Sequence, residues 1–211
     1  MPRHVDRYLR NNASSRGGVR PRLCVLHTTE GHNRPGLSDL EGLARFFDDP
    51  SSAASAHLGV DAEGNSVRMV RDEDKAWTQC LYNGVSLSVE QVGFSATSKR
   101  DWVRQYHLGL YRVALALARW HRDHGIPLRH STRRGICQHK HLGRAGCGHF
   151  DCGPGYPERL VTIWARLAYY RMVGWSKRPW WRRMRARNYK RRVLRQLRRY
   201  GAPPTTRPWG E

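Results

Sequence analysis

Between residues 20 and 173, short apolar runs alternate with segments of helical periodicity, and this alternation restricts the fold more than any other feature. Leu23-Cys24-Val25-Leu26, bounded by polar residues, reads as a buried strand that delivers His27 at its C-terminal end. Ser38 and Glu41 form a capping-box pattern. Leu40, Leu43, Ala44 and Phe47 follow at helical spacing until Pro50 stops the helix. Residues 56–60 and 66–70 read as strands around the turn Asp61-Ala62-Glu63-Gly64-Asn65. From Val85 to Glu90 the pattern has period two. Val85, Leu87 and Val89 share one face, and Glu90 lies with Ser86 and Ser88 on the other, exposed one. The clearest helix is expected over 101–124, where Val103, Tyr106, Leu110, Val113, Leu117 and Trp120 step by three and four and Gly125 ends the run. A last one is expected from Pro157 to about Tyr170, with Leu160, Ile163, Trp164 and Leu167 as its apolar side. Strands and helices in this order predict an α/β domain, a central mixed β-sheet flanked by helices, over residues 21–173.

Charge divides the chain further. The whole protein carries a formal +21, and from Arg159 to Glu211 there are 16 basic residues against a single acid. The part before Arg159 is an ordinary mildly basic body, whereas the end is a polycation that will seek an anionic polymer or surface. Residues 1–20, with Asn11-Asn12 and Gly17-Gly18 and no periodicity, read as a flexible lead. Residues 174–211 form an Arg- and Trp-rich basic tail. In it, Ala186, Tyr189, Val193, Leu197 and Tyr200 make one narrow stripe of a basic amphipathic helix. Ala202-Pro203-Pro204-Thr205-Thr206 is expected to be an unstructured end. No apolar run approaches the roughly 18 residues of a membrane span, and the polar, basic N-terminus does not read as a secretory signal. Five cysteines without regular spacing argue against a disulfide scaffold and for a reducing compartment, with some thiols free or near a metal.

Chemistry concentrates in one loop. Residues 137–152 hold three His, three Cys and one Asp, a density of metal-ligating groups that folding rarely requires. His27 from the strand end plus two groups from this loop would give a zinc site with an open position, at which a bound water's pKa falls toward about 7. Such chemistry also needs a base for the water's proton and a donor for the oxyanion, and Glu90 and His149 are the candidates. Spacing alone does not choose among His139, His141, Cys147, His149, Asp151 and Cys152.

Several short motifs, each weak alone, are strong in their order and spacing. They are Val25-Leu26-His27-Thr28-Thr29-Glu30-Gly31, Ser55-Ala56-His57 with Asp61-Ala62-Glu63-Gly64, Asp72-Glu73-Asp74-Lys75-Ala76-Trp77, Ser88-Val89-Glu90, Gly135-Ile136-Cys137-Gln138-His139 and His149-Phe150-Asp151-Cys152-Gly153-Pro154. Over roughly residues 22–171 the chain resembles the zinc-dependent N-acetylmuramoyl-L-alanine amidases of the type-2 amidase and peptidoglycan-recognition family, phage endolysins especially. The resemblance implies that His27, His139 and Asp151 are the zinc ligands. It implies that Glu90 handles the attacking water's proton and that His149 stands where the family often has an oxyanion-stabilising Lys. The chain departs from the family in having Cys152 where a Pro follows the Asp, and Ala56 where some relatives carry a Tyr. Some relatives use Cys as third ligand, which keeps Cys147 and Cys152 as rivals. His57, His121 and His124 read as structural or surface residues.

The expected function is hydrolysis of the amide between N-acetylmuramic acid and L-alanine in peptidoglycan, in the setting of phage lysis. The protein would be made in the host bacterial cytoplasm and released to the wall by a separate pore. The tail would bind an anionic cell-wall polymer or membrane surface, with nucleic acid the less favoured partner and no obligate protein partner evident. The reading from another class is a non-catalytic peptidoglycan-binding or nucleic-acid-binding module with a structural zinc site.

Overall fold

The structure is a computed structural model and describes residues 1–34, 36–174 and 180–206. Eight strands form among them: β1 (His4–Asp6), β2 (Ala13–Ser15), β3 (Leu23–Thr28), β4 (Leu58–Val60), β5 (Ser66–Arg68), β6 (Asp74–Ala76), β7 (Ser86–Gln91) and β8 (Gly135–Gln138). The helices are α1 (Ser38–Asp48), α2 (Lys99–Gln105), α3 (His107–His124), α4 (Glu158–Met172) and α5 (Trp180–Arg199). Six strands make one mixed sheet in the order β1-β5-β4-β7-β3-β8, in which only β4 and β5 run antiparallel. β2 and β6 pair separately as an antiparallel ribbon.

Side-chain alternation divides the sheet into two working faces. Cys24 and Leu26 of β3, with Leu87 and Val89 of β7, join the main core made by α3 and α4, where Trp102, Trp120 and Trp164 are fully buried. Leu23 and Val25 point the other way and pack with Cys137 and Leu142, while a second cluster lies under α1. His27 shares the face of Leu23 and Val25. Glu90 shares that of Ser86 and Ser88. Both faces are covered, so every residue of β7 is buried. This corrects the expectation that Glu90 lies on an exposed face.

Other expectations change as well. The lead is not a loose arm: β1 pairs with β5 and β2 with β6, and Asn12 donates from Nδ2 to the carbonyls of Phe47 and Asp49. These contacts are made by strands of three residues, too short to carry a periodicity. The helix expected over 101–124 is broken at Tyr106 into α2 and α3. α1 starts at Ser38 itself, with Leu37 as N-cap and no side-chain cap, so the capping box does not form.

The tail is the largest change in packing. α5 lies against α4, with Ala186, Val193 and Leu197 buried; Val193, Leu197 and Ala202 belong to the main core. The predicted apolar stripe is real, and its partner is the domain itself. Residues 202–206 are held rather than loose. The Thr206 carbonyl accepts from Trp164 Nε1 and Arg171 Nη1, and its hydroxyl accepts from Arg171 Nη2. Residues 175–179, just past the expected boundary between domain and tail, lie outside the described residues. Among those described, no helix is long and apolar enough to cross a membrane.

Candidate active site

The sheet register brings the first two functional groups together. β3 and β7 run parallel with His27 directly opposite Glu90, both near the C-terminal ends of their strands. β8 pairs on the other side of β3 and ends at Gln138, so the next residue, His139, emerges beside His27. Their rings meet edge to face with centroids 4.4 Å apart. Asp151 arrives from the loop beyond. Its carbonyl accepts from Lys140 N–H at 2.8 Å and its Oδ2 from Thr28 N–H at 3.4 Å.

The Asp151 carboxylate bridges the two imidazoles. Oδ2 is 3.1 Å from His27 Nδ1 and Oδ1 is 3.2 Å from His139 Nδ1, and all three residues are buried. His139 Nε2 lies 2.6 Å from the Gly146 carbonyl. A carbonyl only accepts, so Nε2 carries the hydrogen, and Nδ1 of the neutral ring presents a lone pair to a carboxylate. Two acceptors facing each other at that distance require a cation between them, either a second ring proton or a metal ion. One ligand atom from each of His27, His139 and Asp151 lies within 4.8 Å of the others. Two imidazoles and a carboxylate are a donor set that fits zinc and leaves a coordination position open. The bond from His139 Nε2 to a backbone carbonyl is the orienting contact that metal-binding histidines usually make.

Electrostatics separates the two acids of the site. Burial alone would push Asp151 up, but the facing imidazoles of His139 and His27, with the cation held between them and the carboxylate, outweigh it and keep the carboxyl well below the usual range. Glu90 receives no such compensation. Burial first, then the charges of Asp151 and Glu30, push it well above the ordinary carboxylate value, and its Oε2 has no hydrogen-bond partner. Its Oε1 lies 3.9 Å from His27 Nδ1. Two neighbouring carboxyls with opposed proton affinities are the arrangement that general acid–base chemistry uses. Burial lowers the His27 pKa, and the hydrogen bond and charge of Asp151 work against that shift.

These groups line a cleft of about 460 Å³, walled by Phe46, Trp77 and Phe150. His149 stands at its rim, solvent-exposed and stacked on the His139 ring at 4.6 Å. The rival ligands are accounted for elsewhere. Cys147 forms a disulfide with Cys80, which corrects the expectation of free or metal-bound thiols there, and the bond ties together two loops that line the cleft. Cys152 is buried in the main core, where desolvation drives its thiol pKa well up. His141 turns toward Glu158. His57 is fully buried between Arg16 Nη2 and Ser88 Oγ, a structural position.

Sequence reasoning missed one support. Glu30, quoted above only as part of a motif, accepts from Thr28 Oγ1, Ser95 N–H and Ser95 Oγ, and so fixes the turn after His27.

The family pattern carried by the sequence puts the chain among the amidases, a class of hydrolase. The sequence pattern of the N-acetylmuramoyl-L-alanine amidase family matches residues 17–155, about two thirds of the chain, and the chain belongs to that family. Its family thus acts on peptidoglycan. The fold is similar to that of the Staphylococcus aureus hydrolase AmiA in complex with its ligand, with TM-score 0.61, 16% identity, and 82% of this chain and 86% of that one covered. It is also similar to an AmpD derivative, with TM-score 0.57, 16% identity, and 76% and 95% covered. A mutant endolysin from Bacillus subtilis matches with TM-score 0.54, 15% identity, and 80% and 99% covered. No curated protein matches the chain in sequence.

Proposed function

We propose that this chain is a zinc-dependent peptidoglycan amidase that cleaves the bond between the lactyl group of N-acetylmuramic acid and L-alanine, and that it serves a phage as an endolysin. His27, His139 and Asp151 would hold the metal. When bound, zinc supplies a Lewis acid that acidifies water and polarises a carbonyl. Glu90 takes the attacking water's proton on its unpartnered Oε2, because a carboxyl with raised proton affinity both accepts a proton and hands it on. The leaving amine of L-alanine receives that proton. His149, at the rim, donates an N–H to the tetrahedral oxyanion. Glu30 acts as a positioning residue for the turn after His27.

The observation that carries this reading is the pair of facing acceptors, His139 Nδ1 and Asp151 Oδ1 at 3.2 Å, with the other ring nitrogen committed to Gly146. The setting that goes with it is synthesis in the host bacterial cytoplasm and later release to the wall. The outward face of α5, which carries Arg187, Arg191, Arg195 and Arg198, would hold the enzyme on an anionic wall polymer. Its apolar stripe is already engaged by α4, which favours a polymer over insertion into a membrane. Nucleic acid is the less favoured partner.

The test is digestion of purified peptidoglycan with and without a chelator, with products read by mass spectrometry. Stem peptides beginning at L-alanine, lost on chelation and restored by zinc, are the expected result. Intact glycan–peptide linkages from folded, zinc-loaded protein would overturn catalysis and leave a binding module.

A further inference from the structure

The segment that supplies His139 carries another histidine, His141, which the amidase reading leaves unused. It faces away from the cleft toward the start of α4. His141 Nδ1 lies 3.9 Å from Glu158 Oε2, and His130 Nδ1 lies 2.7 Å from Glu158 Oε1. The two imidazole rings meet edge to face with centroids 4.9 Å apart. One ligand atom from each of His130, His141 and Glu158 falls within 4.8 Å of the others, a convergence matched among the described residues only by the His27 group.

The carboxylate at the centre is held in place. Gln138 Nε2 donates to Glu158 Oε2 at 3.2 Å, and the Glu158 side chain is only 11% exposed. Gln138 itself is 5% exposed, and its Oε1 is buried without a hydrogen-bond partner. The Gln138 backbone N–H lies 3.3 Å from His141 Nδ1, a long contact that a cation taken up at that lone pair would displace. Two imidazoles and a carboxylate converge here, more loosely than at Asp151. The His130 side chain is 58% exposed, so solvent can fill a remaining position.

We propose that His130, His141 and Glu158 form a second zinc site, structural in role, with Gln138 fixing the carboxylate. Two neutral imidazole nitrogens and one carboxylate oxygen, completed by water, suit a borderline divalent cation. The three donors belong to the loop before β8, the turn after it and the first residue of α4. A cation joining them clamps these elements around the segment that begins at His139. The site stands whether or not the cleft hydrolyses peptidoglycan.

Metal stoichiometry of the full chain tests it. Metal-free protein is dialysed to equilibrium against Zn²⁺ and bound metal is measured by mass spectrometry. Wild type should bind two equivalents, and His130→Ala and His141→Ala one each. These are surface or partly exposed residues, so their loss leaves the core intact. His27→Ala should also keep one equivalent, and adding His141→Ala to it should remove that one. Long-range ¹⁵N spectra of wild type should show zinc-dependent shifts at His130 and His141. One equivalent in wild type, or two retained in both surface variants, overturns the proposal. Loss of zinc from His27→Ala alone, with one equivalent in wild type, leaves the amidase reading standing and removes only this site.

Discussion

Two buried carboxylates, Asp72 and Asp151, show how differently one fold can treat the same group. Asp72 accepts from Arg68 at 2.9 Å, Arg119 at 3.1 Å, Trp120 Nε1 at 3.0 Å and His124 Nε2 at 3.1 Å. Two of those partners are permanent cations, so the charge is neutralised by protein alone. Asp151 is offered two imidazoles, one of which has its proton committed elsewhere. The first centre is complete and structural. The second, on the proposed reading, is completed by a bound cation.

Glu90→Gln should sharpen the contrast most. It keeps the His27, His139 and Asp151 donors, so bound zinc should be unchanged, while hydrolysis falls by about 10² to 10⁴-fold. Wild-type rates from that variant would take the base role away from Glu90. At the other centre, Asp72→Asn leaves Arg68 and Arg119 without their counter-charge and should cost about 3–5 kcal/mol in denaturant unfolding. Hydrolysis per folded molecule should be unaltered, and a loss of metal there would show that the two centres are coupled.

Acid should act first on the structural side. Asp72 is held below its ordinary value: burial raises it, but Arg119, His124 and Arg68 outweigh burial. A carboxyl lowered in the folded state stabilises above its unfolded value, and that contribution is lost as pH falls through the folded one. His57 is pushed down to about 3 by burial and by Arg16. The unfolded chain therefore takes up a proton at His57 that the folded one refuses, and stability should fall between pH 6.5 and 3. His57→Gln should flatten this part of the curve in urea titrations; an unchanged slope would show that burial of His57 is not its source. The smallest effect is expected on α5. Charge reversal at Arg191, Arg195 and Arg198 should lower the salt needed to elute the protein from anionic wall polymer, with melting temperature unchanged.

The architecture could be read from the sequence where periodicity was long enough to carry it. β3, β7 and the apolar side of α4 follow directly from residues 23–28, 86–91 and 160–167. The three-residue strands β1 and β2 could not be read, because they are fixed by partners more than fifty residues away. For the tail, the stripe of Ala186, Val193 and Leu197 could be read but not what it faces. In the site, the strand ends predict His27 and Glu90, and the family resemblance picks out His139 and Asp151. The tautomer of His139 depends on the Gly146 carbonyl, and a backbone oxygen has no signature in the sequence.

The pairing of His27 with Glu90 across β3 and β7 has a consequence for how this protein can change. The strands act as a ruler: each added or removed residue inside them turns a side chain to the opposite face. An insertion within residues 86–90 would send Glu90 into the tryptophan-lined core and bring an apolar neighbour to the cleft. Free loops can lengthen over generations, whereas the one between His139 and Asp151 is tied by the Gly146 carbonyl and the Cys80–Cys147 disulfide. The two strands, in contrast, accept substitutions but no change in length.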